Sequence, residues 1–306
     1  MMIKNRIWTY VSIFLIVLVM CLGVESIRMD RQYPIKSAPP EAPFSMETAF
    51  QLLMYSFSTY CEPDQITNWN CPYCNYNSSV VPLSLVQLIN HDPTQTFGYI
   101  GVTDDKESIV ITFRGTNMES LENWITNLNF AKTEPYPAFP GALVHAGFNR
   151  AYQSVRPIVH QLLNSTFQAC PTCNKLIMAG HSLGGALSVL AALDIYESSL
   201  TTMPLVLYTY GSPRIGDVAF AEYFESTIMQ NYIRIVNDHD LVPHLPALAW
   251  NFYHLPQEVW FNNKSDVTQH VVCDESGEDP SCSDSIKIAL NIPEHLEYLG
   301  INKNQC

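Results

Sequence analysis

The stretch Lys175-Leu-Ile-Met-Ala-Gly-His-Ser-Leu-Gly-Gly-Ala186 is the part of this 306-residue chain best equipped for chemistry. A short apolar run ends in Gly180-His181-Ser182-Leu183-Gly184, and a helix-forming run follows. This is G-x-S-x-G in the strand–turn–helix context that the pattern needs. A turn from strand directly into helix is tight, so its neighbours must lack bulky side chains. Gly180 and Gly184 meet that need and Gly185 adds room. Ser182 then stands at a helix N-terminus, where the dipole and unpaired N–H groups favour a developing oxyanion. The chemistry is nucleophilic attack on a carbonyl. The plainer explanation, a serine capping a helix in a glycine-rich turn, does not account for the flanking strand.

A hydroxyl is a weak nucleophile and needs a base. When a serine is presented on such an elbow, the chain order is serine, acid, histidine. Strand Tyr232–Val236 is followed by Asn237-Asp238-His239-Asp240, and a carboxylate just past a strand end sits where a triad acid belongs. Spacing leaves both Asp238 and Asp240 open, and at least one of them is expected to cap a turn. The downstream histidines are His244, His254, His270 and His295. His244 and His254 follow the acid so closely that a core or loop role suits them better. Chain order alone does not single out His295.

The positioning elements read as follows. Residues 44–60 form a helix, with Ala49, Leu52, Leu53 and Phe57 on a helical spacing. Strands are expected at 97–102, 109–113, 176–179, 205–210, 232–236 and 258–261. Helices are expected at 147–167, with Pro157 as a kink, and at 184–200. Strands alternating with helices predict a central sheet covered on both faces. No long linker or repeat divides the chain, so residues 44–306 are read as one domain.

Composition bounds the partners. Hydrophobic residues make up 47% and charged residues 15%, which excludes a disordered chain. The formal charge of -13 argues against nucleic acid and against docking on anionic lipid, and leaves neutral lipid and uncharged substrates open. Lys4 and Arg6 precede an apolar run at 11–22, which is short for a membrane span; residues 1–26 read as a secretory signal peptide. Residues 27–43, with Pro34, Pro39, Pro40 and Pro43, read as an extended segment. Loss of Cys21 with the signal leaves eight cysteines, an even number that suits four disulfides in a secreted chain. Cys71–Cys74 and Cys170–Cys173 look like local pairs. A redox C-x-x-C expects a cytosolic context, and no histidine stands at zinc-finger spacing. Sequons at Asn77, Asn164 and Asn263 suit the same compartment.

Six motifs in order resemble the fungal-type triacylglycerol lipases, the lipase class 3 family. They are Ile111-Thr-Phe-Arg-Gly-Thr116, Val144-His-Ala-Gly-Phe148, Gly180–Ala186, Tyr210-Gly-Ser-Pro-Arg-Ile-Gly216, Asp240-Leu-Val-Pro-His-Leu-Pro246 and His295-Leu-Glu-Tyr-Leu-Gly300. The resemblance implies an α/β-hydrolase fold with a mostly parallel sheet, helices on both faces and a short helical lid. It implies Ser182 as nucleophile, Asp240 rather than Asp238 as acid and His295 as base. It places the oxyanion hole at Thr116 and the Leu183 N–H. It reads His145 and Arg214 as structural hydrogen-bonders. It also pairs Cys61 with Cys306 and Cys273 with Cys282, while the Cys170–Cys173 pair departs from the family and rests on proximity.

Leu121, Trp124, Ile125 and Leu128 recur at helical spacing between the first and second motifs. Periodicity alone reads this as an ordinary surface helix; the resemblance reads it as the lid. The expected function is a secreted serine hydrolase of acylglycerol esters at a lipid–water interface. It implies no metal, no cofactor, no membrane span and no obligate protein partner. A phospholipase A1 or a feruloyl-type or soluble carboxylesterase on the same fold is the alternative. An inert secreted lipid-binding protein is the alternative of another class, and the intact serine–acid–histidine set argues against it.

Overall fold

The Ser45 hydroxyl accepts the Thr48 N–H at 3.2 Å and so starts helix α1 (Met46–Ser58). In the computed structural model, residues 44–306 are described, apart from 117–120, 122, 124, 126–128, 229–231, 264–265, 287–288 and 290. The expected signal peptide (1–26), the proline-rich segment (27–43) and the positions of Trp124 and Leu128 therefore lie outside the described residues.

After α1 the chain makes an antiparallel meander of β1 (Leu83–His91), β2 (Thr96–Thr103) and β3 (Ser108–Phe113). A small ladder of β4 (Lys132–Thr133) and β5 (Val144–His145) leads into helix α2 (Ala146–Ala169), which runs without a break through Pro157. Alternation follows: β6 (Lys175–His181), α3 (Leu183–Glu197), β7 (Leu205–Tyr210), α4 (Val218–Thr227), β8 (Tyr232–Asn237) and β9 (Glu258–Phe261), then β10 (Val271–Val272). The eight strands form one sheet in the order β1-β2-β3-β6-β7-β8-β9-β10, with β3, β6, β7, β8 and β9 parallel. A last hairpin, β11 (Glu297–Tyr298) and β12 (Ile301–Asn302), lies near the C-terminus.

The two-residue period of the central strands divides the core. Ile109, Ile111, Leu176, Met178 and Leu207 face the layer that holds α2 and α3. Val110, Ile177, Ala179, Tyr208 and Tyr210 face the layer that holds α1. Strands apolar on both faces are what a parallel sheet covered on both sides requires. The sequence reading passed over β1 and α4. Strand β1 is an edge strand with a register shift between Ser84 and Gln87, which breaks its alternation. Helix α4 did carry a start signal: Asp217 accepts the Phe220 N–H at 3.0 Å.

Candidate active site

Ser182 sits where β6 turns into α3, with φ +59° and ψ −132°. Such a conformation costs a non-glycine residue on the order of 1–3 kcal/mol and persists only where its surroundings enforce it. Here they do. A Cβ on Gly180 would lie 2.2 Å from the Gly184 carbonyl oxygen, and one on Gly184 would lie 2.1 Å from the Phe113 carbonyl oxygen. The sheet therefore presses β3 and the elbow together, and only glycine fits between them.

The acid and the base come from two loops that are pinned to each other. Asp240 forms an isolated parallel bridge with Asn291, and the His295 N–H bonds to the Ile292 carbonyl at 3.0 Å. Asp240 Oδ2 lies 2.8 Å from His295 Nδ1. Its other oxygen accepts the Val242 N–H at 2.9 Å. A carboxylate can only accept, so Nδ1 carries the ring proton and Nε2 is left bare as a base. His295 Nε2 and Ser182 Oγ are both buried and find no hydrogen-bond partner among the described residues.

Asp238 takes a different position. Its Oδ1 lies 2.5 Å from Nδ1 of the exposed His239, in a turn where Asp238 has φ +40°. Among the other histidines, His254 donates from Nε2 to the Pro243 carbonyl at 2.7 Å, His270 packs its ring on Phe44, and His244 lies in a short 3-10 turn. Thr116 follows β3 on the segment that abuts the elbow: a Cβ on its neighbour Gly115 would lie 2.8 Å from Ser182 Cβ. Leu183 is the first residue of α3.

Two contributors were not singled out from the sequence. Tyr298 donates its hydroxyl to Asp240 Oδ2 at 2.6 Å, and burial beside that carboxylate holds the phenol well above its ordinary pKa. Gly211 has φ +58°, and a Cβ there would lie 2.8 Å from Asp240 Oδ2 and 2.9 Å from His295 Cε1. Both stand inside motifs, and only their position in the fold shows what they touch.

The lid segment is described in part. Leu121, Asn123 and Ile125 are helical. Leu121 and Ile125 are buried against Leu241, Val242, Leu245 and Ile292, residues that neighbour Asp240 and His295 in the chain. Ser182 is 1% exposed and His295 0%.

Outside this centre, the structure joins Cys61 to Cys306, Cys71 to Cys74, Cys170 to Cys173 and Cys273 to Cys282. Arg214 makes a two-pronged bond to Glu278, 2.7 Å on each prong. His145 caps α2, its Nδ1 accepting the N–H groups of Gly147 and Phe148 at 3.1 and 3.2 Å; burial pushes its pKa down to about 4. Asn77 and Asn164 are exposed and Asn263 is half-exposed. Two groups of metal-capable side chains occur among the described residues. In one, the cysteines Cys273 and Cys282 are already bonded beside Glu258; in the other, Asp238 Oδ1 meets His239 Nδ1 and Glu294 accepts the His239 backbone N–H.

The strand order and the serine elbow make this protein an α/β-hydrolase, and the comparisons agree. The family model for Lipase (class 3) matches residues 110–250. The curated lipase of Rhizomucor miehei is 37% identical over 240 residues, 78% of this chain and 64% of the relative's length. The chain thus spans just under two thirds of that relative. The secreted mono- and diacylglycerol lipase 1 of Fusarium solani is 30% identical over 258 residues, 80% of this chain and 73% of the relative. Among solved structures, lipase II of Rhizopus niveus superposes with a TM-score of 0.75 at 32% identity, over 87% of this chain and 98% of that one. The chain belongs to the class 3 lipase family.

Proposed function

We propose that this protein is a secreted serine ester hydrolase of acylglycerols. The observation that carries the reading is the bond that His295 Nδ1 donates to Asp240, which leaves Nε2 bare, buried like the Ser182 hydroxyl. In this reading His295 Nε2 takes the Ser182 proton as Oγ attacks the ester carbonyl. The oxyanion is held by Thr116 and the Leu183 N–H. The tetrahedral intermediate expels the alcohol, which takes the proton from His295. Water, activated by the same histidine, then releases the fatty acid.

Glycerides are favoured over soluble esters by what covers the site. Leu121 and Ile125 bury apolar surface against the loops of Asp240 and His295, and the segment that carries them also holds Trp124 and Leu128. Such a cover is stable in water and has a competing dry surface at an oil interface. Secretion is supported by the four disulfides and by the relatives, one of which is itself named as secreted. Among the described residues no helix is long and apolar enough to cross a membrane.

A substrate panel tests the reading, from dissolved short-chain ester through emulsified mono-, di- and triacylglycerol to phospholipid and feruloyl ester. The expected result is a rate that climbs once a glyceride passes its solubility limit. A preference for phospholipid, or for feruloyl or dissolved ester without that climb, would replace it. Lipid binding without reaction toward a serine-directed phosphonate would remove the enzyme altogether.

A further inference from the structure

The side chain that precedes the nucleophile has a place in this architecture that the triad does not use. His181 is buried, and both of its ring nitrogens are engaged: Nε2 lies 2.7 Å from the backbone carbonyl of His295, and Nδ1 lies 2.7 Å from the Tyr60 hydroxyl. A carbonyl accepts only, so Nε2 must carry the proton. In a neutral ring Nδ1 is then bare, and the Tyr60 O–H must donate to it. The Tyr60 oxygen in turn accepts the Gly115 N–H. The bonds therefore run one way: Gly115 N–H to Tyr60 O, Tyr60 O–H to His181 Nδ1, His181 Nε2–H to His295 O.

This chain of donors ties the ends of β3 and β6, already paired at Phe113 and Gly180, to the segment that carries the base. Gly115 adjoins Thr116, the oxyanion candidate; His181 adjoins Ser182; and the last acceptor is the backbone of the base itself. We infer that His181, oriented by Tyr60, is a positioning residue that sets the approach of His295 to Ser182. The inference rests on the esterase reading.

Three further observations support it. The His181 and His295 ring centres are 4.5 Å apart, so a charge on His181 would oppose the imidazolium that His295 forms in the reaction. Burial, His295 and Lys303 hold the His181 pKa well below its ordinary value, which keeps that ring neutral. Tyr60 is clamped in turn: its neighbour Cys61 is bonded to Cys306, and Lys303 of the same C-terminal tail sets its ammonium 4.2 Å from the centre of the Tyr60 ring.

The test compares His181→Leu, His181→Gln and Tyr60→Phe on a dissolved short-chain ester, with a thermal melt for each. The Gln amide can place its N–H where Nε2–H stood; Leu cannot. A misplacement of the base by about 1 Å costs on the order of 100-fold. His181→Leu should therefore lower kcat by about 10- to 100-fold with KM nearly unchanged, and Tyr60→Phe by about 10-fold. His181→Gln should recover most of the loss. Melting temperatures that fall while folded enzyme keeps the wild-type kcat would reduce the pair to packing. A Gln variant no better than Leu would do the same. Two-bond proton–nitrogen NMR correlation of the wild-type chain reads the device without turnover. A neutral His181 protonated on Nε2, with His295 resonances that move in Tyr60→Phe, is expected. The opposite tautomer, or His295 resonances that stay put, overturns the inference. An inactive wild-type chain that does not label with phosphonate would instead sink the esterase reading, and the NMR result would still decide the positioning.

Discussion

The Tyr298 hydroxyl lies 2.6 Å from Asp240 Oδ2, the same oxygen that meets His295 Nδ1 at 2.8 Å. Two donors thus converge on one oxygen while the Val242 N–H holds the other. The carboxylate is fixed in position by these hydrogen bonds, where water does not reach it. A hydrogen bond to a buried charge is worth about 2 kcal/mol. Tyr298→Phe keeps the ring and loses only the donor. It is expected to lower kcat by about 10- to 30-fold, since about 1.4 kcal/mol corresponds to each factor of ten. Steady-state kinetics on a dissolved ester check this; an unchanged kcat would show that Val242 and His295 suffice.

The two aspartates after β8 are expected to behave differently. Asp240→Asn removes the acceptor that fixes the His295 tautomer, a change that costs about 10⁴-fold in a comparable triad. Asp238→Asn alters a partner of the exposed His239, away from His295 Nδ1, and should stay within about threefold. Measured kcat/KM for both, alongside Ser182→Ala as the inactive reference, decides the matter. Equal losses would mean that the acid has been assigned to the wrong residue.

In the proposed reading, the packing of Leu121 and Ile125 against Leu241, Val242, Leu245 and Ile292 keeps the lid closed in water. A fully buried leucine side chain contributes about 2 kcal/mol. Leu121→Asn should therefore weaken closure, raise the rate on dissolved ester several-fold and flatten the climb across the solubility limit. Trp124→Ser should act in the opposite sense, lowering the rate on emulsified long-chain triacylglycerol far more than on dissolved ester, because a tryptophan suits a lipid–water boundary. If neither variant separates the two substrates, the segment is an ordinary surface helix.

Acid should attack the cap of α2. His145 accepts two backbone N–H groups on Nδ1, so protonation there replaces an acceptor with a donor. Its folded pKa, about 4, lies below its ordinary value of 6.5, so the unfolded chain binds the extra proton between those values. The stabilisation is complete above about pH 6.5 and is lost as pH falls through about 4, at a cost of up to about 3 kcal/mol. His145→Asn keeps a capping oxygen and cannot titrate. Urea midpoints at pH 7 and pH 4.5 should fall less for the variant than for the wild type. Parallel losses would place the acid-sensitive group elsewhere.

What the sequence determined by itself is local. The Gly180–Gly184 elbow was legible because a strand, a tight turn and a helix are consecutive in the chain, and the need for glycine follows from the serine's strained backbone. The central strands were legible because a parallel sheet buried on both faces demands apolar runs. Strand β1 was not, because an edge strand with a register shift has no clean period. Spacing left two aspartates and four histidines open, and only the resemblance chose among them. Tertiary structure decided which of them meet: Asp240 and His295 are 55 residues apart and come together because their loops bridge at Asn291. It also decided that Tyr298 and Gly211 press on the acid and that Tyr60 reaches His181 across 121 positions. No periodicity records such contacts, because a hydrogen bond needs two groups within about 3 Å, and chain folding alone sets that distance.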